Sequence, residues 1–117
     1  MYRLEFELAG LPPTENSHKH WAVAGRARKE WRQRTKLRVF MQRPAAPLES
    51  CKITCTRFSA VEPDRDNLAR TFKSVVDGLV DAGIIKDDNP SIVKEFNCRW
   101  EKAPPKEGKI RVLVEAA

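Results

Sequence analysis

Tyr2, Leu4, Phe6 and Leu8 alternate with Arg3, Glu5 and Glu7 at the start of the chain. A period of two puts the apolar set on one face of an extended strand and the charged set on the other. Gly10-Leu11-Pro12-Pro13 ends that strand, and residues 14–20 read as loop. Over residues 22–41 the pattern turns helical, until Pro44 and Pro47 stop it. Val23, Ala27, Leu37 and Met41 form a broken apolar stripe on this helix. A second strand is predicted over 49–60, with Cys51, Ile53 and Cys55 facing one way. The strongest helix spans 67–82, where Leu68, Phe72, Val75, Val76 and Leu79 recur at helical spacing. Asp66 is its expected N-cap, and Gly83 stands where a left-handed cap is wanted. Residues 92–102 make a third strand with Phe96, Cys98 and Trp100 in register. Pro104-Pro105 and Gly108 turn the chain, and Ile110, Val112 and Val114 mark a fourth.

The order is strand, helix, strand, helix, strand, strand. It predicts an α+β fold: a small mixed four-stranded sheet with two main helices packed on one face. The last two strands are close enough in sequence to pair as an antiparallel hairpin. With 117 residues, one domain over 1–117 is expected. No apolar run has the length to span a bilayer. Met1-Tyr2-Arg3-Leu4-Glu5 carries charge at once and has no signal-peptide core, so a cytoplasmic protein is expected. The cysteines, Cys51, Cys55 and Cys98, lack metal-knuckle spacing and read as buried reduced thiols.

Charge alters the picture. From Lys19 to Arg43 there are nine Lys and Arg against one acid, Glu30, a net +8 in a chain of net +6. Ordinary exposed helices mix both signs, so this excess marks a polyanion binder. At helical spacing Arg28, Arg32, Lys36 and Arg43 share one side, with Lys29 on its flank. They are the candidate phosphate contacts. His18, Trp21 and Trp31 are candidates to stack on bases, although Trp31 reads more readily as core.

The acidic residues are grouped as well. Asp64 and Asp66 precede the second helix, and Asp87-Asp88 follow it. Carboxylates brought together are tolerable if solvated or if a cation sits among them. Hard divalent cations take oxygen ligands and accompany phosphate chemistry. Along the helix Asp66, Arg70, Lys73 and Asp77 fall near one angle. A helix of this length spans roughly 24 Å, so Asp87 and Asp88 rejoin the first pair only if the chain doubles back. A plain alternative makes Asp66 a cap, Lys73–Asp77 a surface ion pair and Asp87-Asp88-Asn89-Pro90 a turn.

Taken together, Asp64-Arg65-Asp66-Asn67-Leu68, Lys73, Asp77-Gly78-Leu79, Ala82-Gly83 and Asp87-Asp88 resemble the signature of the RusA family. These are crossover-junction endodeoxyribonucleases, the Holliday-junction resolvases of phage and prophage. Pro12-Pro13-Thr14-Glu15-Asn16 is similar to a further element of that family. The likeness departs at one place: where many members carry a Lys two residues after the Leu, this chain has Arg70. Lys73 lies three residues further on, nearly one helical turn, and is favoured as the family's residue type.

The resemblance implies a Mg2+-dependent endonuclease, with Mn2+ as the alternative ion, that resolves four-way DNA junctions by paired symmetric nicks in recombination and repair. Asp64, Asp66 and Asp88 would be catalytic and bind the metal, and Asp87 would assist or orient. Lys73 would neutralise charge on the scissile phosphate, with Arg70 as second choice and otherwise a DNA contact. A homodimer is implied, because two matching sites suit two symmetric nicks. The rival reading is a catalytically inactive basic DNA-binding module of phage origin. Acids near a phosphate discriminate between them, since a pure binder gains nothing from groups that repel its ligand.

Overall fold

The computed structural model describes residues 1–13 and 21–117, with side chains from residue 25 onward in the second stretch. The expected loop at 14–20, with Asn16, His18, Lys19 and His20, lies outside the described residues, as do the side chains of Trp21 and Val23.

Strands β1 (Arg3–Ala9), β2 (Cys51–Ser59), β3 (Val93–Lys102) and β4 (Lys109–Ala116) form one sheet in the order β1-β4-β2-β3. β4 is antiparallel to both its neighbours, and β2 and β3 are parallel. The α+β class, mixed sheet and element order are those the periodicity predicts. The β3–β4 hairpin is not formed. β4 leaves β3 at the sheet edge, passes the end of β2 and inserts between β1 and β2. Burial explains the choice: Ile110, Val112 and Val114 are fully buried, whereas most of β3 is exposed. The more apolar strand gains more from a central place.

Leu4, Phe6 and Leu8 face the core beside Val114, Val112 and Ile110, with Ile53 and Cys55 next across the sheet. Cys51 and Cys55 are free and buried, and burial raises both thiol pKa values. Arg57 is also buried. Its Nη1 donates to the Pro12 carbonyl at 3.0 Å, and burial lowers its pKa.

The first helix, α1, runs Trp21–Val39 and is followed by a 3-10 turn, Phe40–Gln42. It therefore ends two residues before Met41, and Arg43 leaves the turn in extended conformation. Arg43 consequently does not share the helix face with Arg28, Arg32 and Lys36; it lies over the Phe40 ring. The apolar stripe is also corrected. Leu37 and Met41 are 69% and 89% exposed, and the buried side is Trp31, Thr35 and Val39. Thr35 escapes an apolar pattern because its hydroxyl satisfies itself on the Trp31 carbonyl, 2.9 Å away.

The second predicted helix is two segments, α2 (Arg65–Thr71) and α3 (Lys73–Asp81). Thr71 Oγ1 donates to the Leu68 carbonyl at 2.8 Å, the acceptor that Phe72 N–H would use in an unbroken helix. Phe72 N–H bonds Ala69 O instead, at φ −93° and ψ 0°. Asp64, not Asp66, occupies the N-cap position, and its side chain makes no capping bond. Asp66 lies within the first turn. At the far end Gly83 adopts φ +80°, as its position predicts. Gly83 N–H bonds Val80 O and Ile84 N–H bonds Leu79 O, both at 3.0 Å, while buried Ile84 and Leu79 meet beneath. This is a Schellman turn, and it sends the chain back along α3.

Candidate functional site

After that reversal, Leu48 N–H bonds Ile84 O and Lys86 N–H bonds Leu48 O, fixing the returning strand of chain. Residues 86–90 then lie beside the start of α3. The Lys73 ammonium sits 2.5 Å from Asp88 Oδ2 and 3.2 Å from Asp77 Oδ1. The doubling back that the sequence requires thus occurs, and it delivers Asp88 to Lys73. The hydrogen bond from Lys73 holds the Asp88 carboxyl below the usual carboxylate range, and the same bond raises the Lys73 pKa.

Asp87 has a local task. Its Oδ1 accepts the Asp88 N–H at 2.7 Å and its Oδ2 accepts from the Asn89 amide at 3.2 Å. The Asn89 side-chain oxygen Oδ1 accepts from the Ser91 N–H and hydroxyl. Such Asx bonding shapes the turn, so Asp87 orients Asp88.

Asp64 and Asp66 are exposed at the opening of α2, about two turns before Lys73. Among the described residues, no three His, Cys, Asp or Glu side chains stand together as a group able to hold a metal ion. Donor chemistry fits a hard cation, because Asp64, Asp66 and Asp88 offer only oxygen. Their placement in this chain does not make a closed ligand set.

Two concave surfaces meet at Lys73. A cleft of about 630 Å³ has Arg70, Lys73 and Asp88 among its walls. Arg70 and Lys73, three residues apart on either side of Phe72, share that opening, as i and i+3 side chains of one helix face do. On the other side, a hollow of about 270 Å³ is bounded by Arg28, Lys29 and Arg32 of α1 and by Lys73, Ser74 and Asp77 of α3. α1 can come this close because α3 presents Gly78, where an added Cβ would lie 2.5 Å from the Arg32 carbonyl oxygen and 2.7 Å from Thr35 Cβ.

The predicted phosphate contacts divide accordingly. Arg28 and Lys29 are exposed at the hollow. Arg32 also borders it, but its guanidinium grips Asp81 through two bonds of 2.5 and 2.9 Å. That grip lowers the Asp81 pKa, and Lys36 adds a further positive field there. Asp81 was not legible as a partner, because 49 residues separate the pair and no local spacing connects them. Arg34, in the same basic run, is a structural group: it bonds Ala9 O at 2.8 Å and lies over the Trp31 ring. Trp31 itself is core, at 6% exposure. No described helix is long and apolar enough to cross a membrane.

Comparison with models of protein families and with curated proteins finds no match for this chain.

Proposed function

We propose that this protein is a metal-dependent, structure-selective endodeoxyribonuclease that nicks four-way DNA junctions, working as a homodimer in the manner of the RusA family. One observation carries the reading: Lys73 joins two carboxylates, Asp77 and Asp88, to a hollow edged by Arg28, Lys29 and Arg32. Cations in that arrangement suit a phosphate backbone. Carboxylates beside them weaken binding, and they are useful if chemistry follows.

In this reading Arg28 and Lys29 take phosphates along α1, and Arg70 holds the strand at the cleft. Lys73 stabilises negative charge on the reacting phosphate. Asp87 keeps Asp88 turned toward Lys73. Asp64, Asp66 and Asp88 are the oxygen donors this reading names for Mg2+, although they do not stand together as one group in this chain; the ion, when bound, would supply an activated water at neutral pH.

The test incubates the purified protein with a synthetic four-way junction and with linear duplex, with and without Mg2+. Wild type is expected to nick the junction only with the ion. Asp66→Asn and Asp88→Asn should abolish nicking while leaving DNA binding intact or tighter, since each removes a negative charge. Wild-type cleavage by Asp66→Asn would overturn the catalytic assignment. Junction binding without cleavage in either Mg2+ or Mn2+ would favour the inactive DNA-binding module instead.

A further inference from the structure

The cleft beside Lys73 has an apolar interior that phosphate contacts alone do not explain. Ile53 and Val76 lie at its floor, 0% and 6% exposed, and Ala69, Pro90, Val93 and Phe96 complete its apolar lining. Its origin is topological. Phe96 stands opposite Ile53 in the register, on the face the helices cover. α1 and α3 pack against each other, while β3 is the sheet edge and reaches only a few residues of α2. Phe96 is therefore 42% exposed although it points to the helix side. An aromatic ring is left forming one wall of a cleft whose mouth carries Arg70, Lys73 and Asp88.

We propose that this cleft receives a nucleobase turned out of the stack near the branch of the DNA, with Phe96 as its stacking surface. The inference rests on the nuclease reading and adds a specificity determinant to it. Charge selects the occupant: cations at the mouth and apolar walls within match a nucleotide, whose phosphate is anionic and whose base has two apolar faces. The positive hollow along α1 opens onto the same Lys73, so a strand following those cations arrives at this mouth. A volume of about 630 Å³ is in the range of small-molecule sites, about 300–1,000 Å³. Bases at a branch are the cheapest to unstack, and pockets of this kind read extruded bases. Junction preference follows, because an intact duplex must break pairing to fill the cleft and a branched one has less to break.

Binding is measured in EDTA, so that no cleavage occurs, on a four-way junction and a linear duplex carrying 2-aminopurine at or away from the branch. Wild type should brighten the probe at the branch and leave the linear probe unchanged. Phe96→Ala should weaken junction binding about tenfold, the size of one lost stacking contact. It should leave linear-duplex affinity and the salt slope untouched, because phosphate contacts remain. Phe96→Trp should restore affinity, and its indole emission should fall on binding the junction. Equal junction affinity for wild type and Phe96→Ala, with no probe response at the branch, would overturn the base-binding role while leaving the nuclease reading standing. A change of oligomeric state in Phe96→Ala by sedimentation, without a change in junction affinity, would reassign the cleft to a second copy of the chain. Failure of wild type to bind either DNA would remove both proposals together.

Discussion

Gly78→Ala tests the contact that sets the distance between the basic helix and Lys73. Helix propensity alone favours the change, by up to about 1 kcal/mol for a glycine in a helix interior. Packing opposes it. The new methyl would lie 2.5 Å from Arg32 O and 2.7 Å from Thr35 Cβ, where ordinary contact begins at 3.4 Å. The first neighbour is backbone, so the whole of α1 must retreat by roughly 0.9 Å to relieve it. Overpacking costs about 1–3 kcal/mol, and a clash with backbone that cannot swing aside belongs to the upper part, about 2–3 kcal/mol, leaving a net loss of about 1–2 kcal/mol after the propensity gain. At the usual unfolding entropy per residue, a chain of this size loses about 4 °C in Tm per kcal/mol. Thermal unfolding followed by circular dichroism should therefore show a drop of about 4–8 °C. Adding Thr35→Ala should recover little, because the methyl it removes is the third and longest of the contacts, at 3.1 Å, and the carbonyl oxygen stays. A Tm equal to or above wild type in Gly78→Ala would show that α1 is free to move and that this approach fixes nothing.

Other outcomes follow from the ion pairs and thiols. Asp81 has a lowered pKa because Arg32 bonds it, so the pair contributes stability that is present above the unfolded carboxyl value of about 3.9 and is lost as pH falls through the folded one. Asp81→Asn should therefore melt below wild type at pH 7, with the gap closing below about pH 4; a gap that persists at pH 2 refutes the assignment. The same variant frees Arg32 for a phosphate, so the log–log salt slope of DNA binding should steepen by about 0.9, and an unchanged slope would place Arg32 away from the DNA. Burial raises the Cys98 thiol to about 11 and pushes Cys51 and Cys55 up as well. At pH 8 the native protein should react with a disulfide reagent on the order of a hundredfold more slowly than in denaturant, reflecting the smaller thiolate fraction; a fast native thiol would contradict this burial.

Strand periodicity was the most legible signal, because alternation maps directly onto a sheet with one covered face. β1 and β4 follow it residue by residue, β2 follows it except where Cys55, Thr56 and Arg57 are buried in succession, and the glycine stop at Gly83 follows from backbone sterics. Strand order was not legible. Short separation favours a β3–β4 hairpin, and only the competition for central positions, won by Ile110, Val112 and Val114, sends β4 past β2. The α1 stripe misled because its buried side contains Thr35 and lies against a glycine, so neither partner looks apolar. The break at Phe72 coincides with the Thr71 hydroxyl bonding the Leu68 carbonyl, a local contact that propensity cannot weigh against a continuous apolar stripe. At the site, Lys73 with Asp77 follows helical spacing, and Asp88 follows once the chain reverses. The register of Phe96 with Cys98 and Trp100 was legible, but its exposure was not, because that depends on how far the helix layer extends over β3.

The choice between Lys73 and Arg70 as the central cation gains a physical basis from these contacts. An ammonium has three donors in a compact head. Lys73 directs two of them at Asp77 and Asp88, which leaves donor capacity for a phosphate oxygen without release of either acid. It lies between the Asp77 and Asp88 carboxylates and the hollow edged by Arg28 and Arg32, so under the proposed function it would screen the acids from a passing DNA strand. Arg70 shares the cleft mouth and holds a full charge in a planar fork suited to a second phosphate. Under the proposed nuclease function the two residues would be successive contacts on one strand rather than rivals for one role.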